Sequence, residues 1–358
     1  MQRVLIEQFG GPEVLRVLEE PTPTADKLGP DDVLVRLTSI GMNRAEIMGR
    51  EGQYKLSTGD PPFTPGLEGG GVLEAVGSDV TGVKPGDRVT LTPGVTRPSS
   101  DTESEPARGG AYRSHYVCPA ECVMPVPDAV PDDQLGALWL PYLTAHGCLH
   151  WLHRLHEQPE DRRVVALSAA SSSVALAAAQ VAKAMGATTI GLTSSPAKLD
   201  AIRALPTARY DHLLATHAPT PQADRTLLPF YRDLFKLTDG RGVDVFFDCV
   251  GAGQYLSHEI TALAELGTVY VYGLLGTPGP VNAGTLIRKK GTVRGYAMTE
   301  LRQAGPEHWR PQAQLVLDGF ANGTYTQHVA GTFPLADVQQ AHAVMAQNQH
   351  IGKLVLIP

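Results

Sequence analysis

The sequence predicts an α/β protein of two domains, one rich in β-strands and one built on a parallel sheet. Its 358 residues are too many for one ordinary domain of about 150 residues, which points to two domains. Up to about residue 125, apolar and polar residues alternate, as along 33–37, and turn residues such as 84–87 interrupt the alternation. From residue 164 onward, apolar strands alternate with helical segments, the pattern of a parallel sheet covered by helices on both faces.

The elements of the parallel sheet follow one another along the chain. Strands are predicted at 164–169, 189–194, 244–251 and 268–273, and helices at 174–186, 196–204 and 254–266. After residue 300, helices are predicted at 309–320 and 334–347 and a strand at 350–357. This tail is too short to be a domain, so we expect it to fold back onto the first half. Segments 92–109 and 217–229 lack periodicity and are predicted loops.

Composition excludes several functional classes. The net charge of −7 disfavours a nucleic-acid partner. The four cysteines include no CxxC pair, which favours reduced thiols and a cytoplasmic location over a disulfide framework or a four-thiolate zinc site. The start of the chain does not read as a secretory signal, and serines interrupt the longest uncharged stretch, 164–182, so no membrane segment is predicted.

The turn after the first strand of the parallel sheet is the predicted pyrophosphate site of a dinucleotide. Residues 168–173 read Ser-Ala-Ala-Ser-Ser-Ser and lead into a helix, whose N-terminus offers unpaired N–H groups and a partial positive charge. The usual fingerprint has glycine at three positions, which here hold Ala170, Ser172 and Ala175, so the motif alone is weak and the following strand and helix units support it. The alternative is an ordinary corner in which the serines only cap the helix.

The end of the second strand favours NADPH over NADH. An NAD enzyme normally has an acidic residue there, which binds the ribose 2′-hydroxyl and would repel a 2′-phosphate. No acidic residue occurs between Lys183 and Asp200; the strand ends instead in Ser194 and Ser195, and Lys198 follows. Hydroxyl donors and an ammonium suit a phosphate monoester, although a lone lysine could also be a solvated helix residue.

The whole chain resembles the medium-chain dehydrogenase/reductase superfamily, and within it the zinc-independent quinone oxidoreductase branch. The segments that carry the resemblance are FGGPEVL (9–15), VLVRLTSIGMNRAEIMGREGQY (33–54), PFTPGLEGGGVLEAVGSDVTGVKPGDRV (62–89), GAYRSHYV (110–117), YLTAHG (142–147), QVAKAMGA (180–187), TDGRGVDVFFDCVG (238–251) and GKLVLIP (352–358). The resemblance implies a GroES-like, β-rich catalytic domain over 1–128 and 300–358, a doubly wound Rossmann domain over 129–299, reduction of substrate in the cleft between them, and a homodimer.

The resemblance also implies that no catalytic metal is bound. Zinc-dependent relatives have a cysteine and a histidine as ligands where this chain has Asn43 and Leu67, and neither residue supplies a thiolate or an imidazole. His146, His150 and His153 are spaced for one helical face, with His156 nearby, but the interleaved leucines favour the polar side of an amphipathic helix over a metal site.

Without a metal, a hydrogen-bond donor must stabilise the negative charge that develops on the substrate oxygen. The resemblance places the Asn of the GxN segment and the Tyr of the RxGxY segment in the pocket, which are Asn43 and Tyr54 here. An amide and a phenol can both donate, although Asn43 could instead brace a turn. Glu46 and Glu68 are candidates for ordering this network, although either could instead be a solvated acid.

The expected cofactor contacts combine the turn, the second strand and positions implied by the resemblance. They are Tyr142, Thr144, Ala170, Ser172, Ser173, Val174, Ala175, Ser194, Ser195, Lys198, Val250, Gly251, Gly273, Leu274 and Lys353. Thr216 stands where many relatives have a tyrosine beside the 2′-phosphate, and this departure, like the glycine-free turn, predicts looser binding.

The predicted function is therefore an NADP(H)-dependent, zinc-independent reductase that transfers hydride to a small molecule, a quinone or another α,β-unsaturated carbonyl compound. A trans-enoyl thioester reductase is one alternative, and it would need a longer acyl pocket. A catalytically weak NADPH-binding protein is the other, because loss of a site leaves a fold intact.

Overall fold

A computed structural model describes residues 1–54, 59–92, 109–218, 227–281 and 283–358. Contacts divide the chain into unit 1, Met1–Leu140 with Ala313–Gly323 and Gln327–Pro358, and unit 2, Pro141–Gln312 with Thr324–Thr326. The predicted domain boundaries, after residue 128 and before residue 300, stay predictions. The predicted loops at 92–109 and 217–229 lie mostly outside the described residues.

Unit 1 is built on two sheets. The smaller pairs β1 (Gln2–Ile6) with β2 (Leu15–Glu19) in antiparallel fashion. The larger has seven strands: β3 (Asp32–Gly41), β4 (Gly70–Val76), β5 (Arg88–Leu91), β6 (His115–Pro119), β7 (Val123–Pro125), β14 (Val329–Pro334) and β15 (Lys353–Ile357). Its order is β14-β15-β3-β4-β5-β7, with β6 also paired to β3.

The long strand β3 organises this sheet because it pairs antiparallel with β4, β6 and β15. Val33, Val35 and Leu37 alternate along it and are buried in the core of unit 1, as expected for a strand with one face on the core. The helices of unit 1 include Arg44–Arg50, which follows β3, and Val338–Ala346, which precedes β15. The C-terminal segment therefore packs with the N-terminal strands, since β15 is a strand of the same sheet.

Unit 2 contains a six-stranded sheet in which every pairing is parallel. Its strands are β8 (Val164–Leu167), β9 (Thr188–Thr193), β10 (His212–Ala215), β11 (Val243–Asp248), β12 (Leu263–Val271) and β13 (Thr292–Gly295). The spatial order β10-β9-β8-β11-β12-β13 is the doubly wound order, with the chain reversing its direction of travel between β8 and β11. Ligands bind at the carboxyl ends of the strands beside such a switch point.

Helices connect the strands of unit 2, as the sequence predicts. They include Ser173–Ala184, Leu199–Arg203, Tyr231–Leu237, Gly253–Ala262, Ala283–Lys289 and Met298–Gln303. The helix Ser173–Ala184 forms because alanine-rich segments have high helix propensity and Ser172 caps the N-terminus. The prediction of a helix over 254–266 was wrong at its end: the helix stops at Ala262, and Leu263 starts β12, where it is fully buried in the core of unit 2.

The fold class is confirmed: a GroES-like unit rich in β-strands accompanies a Rossmann-type parallel sheet. All four cysteines are free thiols, in agreement with the sequence. Within the ranges that the structure describes, no helix combines the length and apolarity that crossing a bilayer requires.

Candidate functional site

The turn between β8 and the helix Ser173–Ala184 lies where the sequence predicts the pyrophosphate. Ser172 caps the helix, and its Oγ accepts a hydrogen bond from the backbone N–H of Ala175 at 3.1 Å. Among the described residues, no hydrogen-bond acceptor faces the backbone N–H groups of Ser173 and Val174. These two donors at the positive end of a helix dipole can bind a phosphate oxygen.

Two of the predicted contacts in this turn, Ala170 and Ala175, are buried and hydrogen bonded within the unit. Ala170 is fully buried; its N–H donates to the carbonyl oxygen of Leu192 at 2.8 Å, and its own carbonyl accepts from the Tyr210 hydroxyl at 2.9 Å. Ala175 is also fully buried, and its N–H is used by the cap. Their contacts with a cofactor stay predictions. The preceding residue, Ala169, adopts the left-handed conformation at φ 48°.

Lys198 lies beside the same turn. Its Nζ donates to the Oγ of Ser171 at 3.4 Å, which connects the segment after β9 to the turn after β8. The carboxyl ends of parallel strands lie at the same edge of a sheet. This brings Lys198 next to Ser171, although the two residues are 27 positions apart in the sequence. An ammonium, two free N–H groups and serine hydroxyls thus lie in one region of unit 2.

The end of β9 carries no acidic residue, and its polar groups are accessible. Ser194 is exposed and Ser195 is partly exposed. Thr216, by contrast, is fully buried and hydrogen bonds to the carbonyl oxygen of Thr193 at 3.3 Å and to His217 Nδ1 at 3.0 Å. Thr216 therefore offers no group to a phosphate, as its departure from the family pattern suggests.

The loop after β11 is ordered by a buried carboxylate. Asp248 accepts hydrogen bonds from the N–H groups of Val250 at 2.7 Å and Gly251 at 2.8 Å, and burial raises the pKa of this carboxyl group. Gly251 has φ 59°, a conformation that favours glycine. A Cβ on Gly273 would lie 3.1 Å from the Cβ of Cys249, so glycine lets the loops after β11 and β12 approach. The cofactor contacts of Val250, Gly251, Gly273 and the exposed Leu274 stay predictions.

Tyr142 is a core residue of unit 2. Its side chain is buried, its hydroxyl donates to Oε1 of Gln180 at 3.4 Å, and its ring lies 5.1 Å from that of Tyr325. Burial raises the pKa of this phenol. Its contact with a cofactor stays a prediction. Thr144 lies in the same helix and is also buried, and its contact with the cofactor stays a prediction.

In unit 1, Asn43 is the centre of a buried polar network. Its Oδ1 accepts from Nζ of Lys353 at 2.6 Å. Its Nδ2 has three acceptors, each at 3.2 Å: the carbonyl oxygen of Gly41, Oε1 of Glu46 and Oε1 of Glu68. Only 6% of Asn43 is exposed, so donation to a substrate requires that one of these long contacts be exchanged.

The two glutamates of this network are not solvated, which decides between the alternatives that the sequence left open. Glu46 caps the helix Arg44–Arg50 by accepting from the N–H of Asn43 at 2.7 Å, and it also accepts from the N–H of Leu67 at 3.0 Å. Burial raises the pKa of Glu46 to about 7, against the opposing charge of Lys353 and these hydrogen bonds. Glu68 pairs with Lys353 at 2.5 Å.

Lys353 lies in the interior of unit 1. It is fully buried, and its ammonium contacts side chains of unit 1; its contact with the cofactor stays a prediction. The ion pair between Glu68 and Lys353 is the functional feature that the sequence analysis missed. The two residues are 285 positions apart, and no local pattern relates them.

Tyr54, the other predicted donor, lies in the turn after the helix Arg44–Arg50. It is 37% exposed, in contrast to Asn43. The turn passes through Gly52 at φ 74°, where an added Cβ would lie 3.0 Å from the ring of Phe9. Glycine is therefore needed to direct the chain toward Tyr54.

The histidine segment does not form one regular helix. The α-helix Trp139–Ala145 continues as a π-helix over His146–Leu152, which changes the spacing of side chains. The expected polar face was wrong for His146, which is buried, hydrogen bonds to the Tyr325 hydroxyl at 3.0 Å and has a pKa lowered by burial to about 3. His150 stacks on His156 at 4.1 Å. In the described part of the chain, no group of three or more His, Cys, Asp or Glu residues is arranged to hold a metal ion.

Comparison with protein families agrees with this architecture. The family model for the alcohol dehydrogenase GroES-like domain matches residues 29–128. The family model for zinc-binding dehydrogenases matches residues 173–318. The first match lies within unit 1, and the second covers most of the parallel sheet of unit 2.

Relatives match over nearly the full chain. A quinone oxidoreductase of Pseudomonas aeruginosa is 29% identical over 100% of this chain and 99% of its own. A 2-haloacrylate reductase of a Burkholderia species is 30% identical over 99% of this chain and 98% of its own.

Solved structures show the same fold. The quinone oxidoreductase of Pseudomonas syringae pv. Tomato superposes with a TM-score of 0.80 at 28% identity, covering 100% of this chain and 99% of that one. The Escherichia coli quinone oxidoreductase complexed with NADPH has a TM-score of 0.79 at 26% identity, covering 100% of both chains. On these matches, the protein is an oxidoreductase, and it belongs to the quinone oxidoreductase branch of the medium-chain dehydrogenase/reductase superfamily.

Proposed function

We propose that this protein uses NADPH to reduce a quinone or another α,β-unsaturated carbonyl compound, without a catalytic metal. The observation that carries the proposal is the polar corner of unit 2, where Lys198 approaches the turn that has free N–H groups at Ser173 and Val174. This corner fits a dinucleotide that carries an additional phosphate.

The donor set of the chain fits the cofactor in two respects. The N–H groups of Ser173 and Val174 suit the pyrophosphate, because small side chains flank them. Lys198, with the accessible Ser194 and Ser195, suits a 2′-phosphate, and no acidic side chain stands at the end of β9 to repel it. When bound, a nicotinamide cofactor supplies the hydride.

The chain itself must then stabilise negative charge on the substrate oxygen. Tyr54 is the donor that we propose for this role, because a phenol hydroxyl can donate a hydrogen bond and the residue is partly exposed. Asn43 is the second donor, held in a buried network that excludes water from its amide. Both roles follow from the sequence prediction and are consistent with where these residues lie in unit 1.

Two relatives indicate the substrate class. One is named for quinones and the other for a 2-haloacrylate, which is an α,β-unsaturated acid. Both are small acceptors in which a carbonyl or carboxyl group is conjugated to a double bond. We propose a small molecule of this class as the substrate of this protein, and a homodimer as its assembly.

A direct test measures cofactor binding first and turnover second. The purified protein is titrated with NADPH and with NADH, and NADPH oxidation is then followed with a panel of quinones, enones and enoyl thioesters. We expect tighter binding of NADPH and turnover with quinones or enones. Turnover with long enoyl thioesters alone would favour the thioester reductase, and NADPH binding without any turnover would favour a binding protein.

A further inference from the structure

Lys353 brings a positive charge into the interior of unit 1. It is the first residue of β15, its backbone N–H donates to the carbonyl oxygen of His328 at 2.9 Å, and its side chain has no exposed surface. A buried ammonium is unfavourable unless it is paired and hydrogen bonded. Here it contacts Oδ1 of Asn43 at 2.6 Å and Oε1 of Glu68 at 2.5 Å.

These contacts determine which way the amide of Asn43 faces. An ammonium has only donors, so the group that approaches it must be the amide oxygen. The amide nitrogen is then turned toward acceptors, the carboxylates of Glu46 and Glu68. A primary amide alone could adopt either orientation, because its oxygen and nitrogen ends have similar shapes. With Lys353 in place, the amide oxygen of Asn43 faces the ammonium, and the opposite end of the amide carries N–H donors and no acceptor.

The backbone is adapted to this arrangement at Gly41. A Cβ added there would lie 2.5 Å from Oε1 of Glu68 and 2.8 Å from Cε of Lys353. It would also lie 2.8 Å from the carbonyl oxygen of Gly136, which cannot move as a flexible side chain can. The absence of a side chain at Gly41 is therefore required for the ion pair to lie next to Asn43.

Lys353 also compensates the negative charge of the network. Glu68 also accepts from the N–H of Leu140 at 3.0 Å, and Glu46 is held by two backbone N–H groups, so both carboxyl groups are fixed in place near Asn43. Lys353 is the cation that the structure places against Glu68 in this interior. Without it, an uncompensated carboxylate would remain beside the amide.

We propose that Lys353 is a positioning residue of the catalytic unit: it holds the Asn43 amide with its oxygen toward the ammonium and its N–H groups on the opposite end as donors, and it balances the charge of Glu68. It acts through Asn43 and does not bind the cofactor. This inference rests on the proposed function only in that Asn43 donates to the substrate oxygen during reduction.

The test compares Lys353→Met, which keeps most of the length of the side chain and removes its charge, with Asn43→Ala and the double variant. We expect Lys353→Met to lower kcat with a quinone about 100-fold, the effect of a misplaced catalytic group, while the NADPH dissociation constant stays within about twofold of wild type and KM changes little. The double variant should be no slower than Asn43→Ala alone, because the two residues act as one unit. Lys84→Met, at an exposed lysine of the same unit, is the matched control and should be unchanged.

The opposite results would overturn the inference. A tenfold or greater loss of NADPH affinity in Lys353→Met, with wild-type kcat at saturating NADPH, would make Lys353 a cofactor ligand. Multiplicative losses in the double variant would mean that Lys353 acts independently of Asn43.

A second variant covers the case in which Lys353→Met does not fold. Lys353→Met/Glu68→Gln leaves neither charge unpaired, so it should fold, melt at a higher temperature than Lys353→Met and remain slow. Wild-type turnover in this variant, or failure of both variants to fold, would contradict the proposal. The melting temperatures and NADPH affinities do not depend on turnover. If the wild type reduces no quinone or enone, the proposed function fails while these measurements still decide the role of Lys353.

Discussion

Replacing Lys198 should change the preference of this protein between NADPH and NADH. Lys198 reaches the turn after β8, where its Nζ lies 3.4 Å from Oγ of Ser171, and no acidic side chain lies at the end of β9. Lys198→Met removes the charge and keeps most of the side chain, whereas Lys198→Glu reverses the charge. We expect both changes to weaken NADPH binding and to leave NADH binding nearly unchanged in the Met variant, because NADH has no 2′-phosphate.

The size of the effect follows from the distance and the surroundings. Two unit charges at about 4 Å attract by about 4 kcal/mol at an effective dielectric constant of about 20. Solvation reduces this, and a hydrogen bond to a charged group contributes about 1.5–3 kcal/mol. Lys198→Met should therefore raise the NADPH dissociation constant roughly 10- to 100-fold. Because Lys198 is partly exposed, the effect should shrink at high salt.

Fluorescence titration of each variant with both cofactors, at low and at high salt, measures these constants. Lys236→Met is the control, since Lys236 is an exposed lysine of the same unit, paired with Asp233. The reasoning is refuted if wild type binds NADH as tightly as NADPH. It is also refuted if Lys198→Met keeps the wild-type ratio of the two constants.

Three further results are expected. Tyr54→Phe should lower kcat with a quinone by roughly 100- to 1,000-fold while the NADPH dissociation constant stays within about twofold, and wild-type kcat, with product release shown not to limit, would exclude a chemical role for the phenol. Exhaustive chelation should leave turnover and melting temperature unchanged; stoichiometric zinc that is lost together with activity would refute this. Glu259 is fully buried, neither carboxyl oxygen has a hydrogen-bond partner among the described residues, and burial raises its pKa well above the usual value. Because the folded state then binds a proton that the unfolded state releases above about pH 4.5, this residue should make the free energy of unfolding fall as pH rises from 5 to 8. Urea unfolding of Glu259→Gln should show a smaller fall, and an equal fall would contradict the reasoning.

Sequence patterns predicted the parallel sheet because its signals are local. Each strand of unit 2 is a short apolar run followed by a helical segment, and the carboxyl ends of such strands meet by geometry. The same reasoning selected Lys198 as a contact for a 2′-phosphate, which stays a prediction, and the structure places its Nζ 3.4 Å from Oγ of Ser171 in the turn. The end of the helix at Ala262 was misplaced because Leu263 and Ala264 are compatible with either element, and packing against β11 decides for the strand.

The interior of unit 1 could not be predicted in the same way. Lys353 lies in a C-terminal strand, and only the pairing of β15 with β3 brings it to Asn43. Likewise, Tyr142 and Ala170 occur in suitable motifs, but their burial depends on the packing of Tyr325 and of Leu192, which no local pattern records. Motifs identified the segments of the site, and tertiary contacts determined which atoms in them remain accessible.

The backbone at Ala169 bears on the kind of ligand that the turn after β8 accepts. An alanine at φ 48° is held in a conformation that costs about 1–2 kcal/mol relative to the right-handed region, and the hydrogen bonds of Ala170 keep it there. A turn without glycine has few alternative conformations, so it loses little conformational entropy when a ligand binds. It also cannot adjust to a ligand of another shape. Analogues in which a bulkier linkage replaces the diphosphate should therefore be rejected more strongly by this protein than by relatives with glycine in the turn.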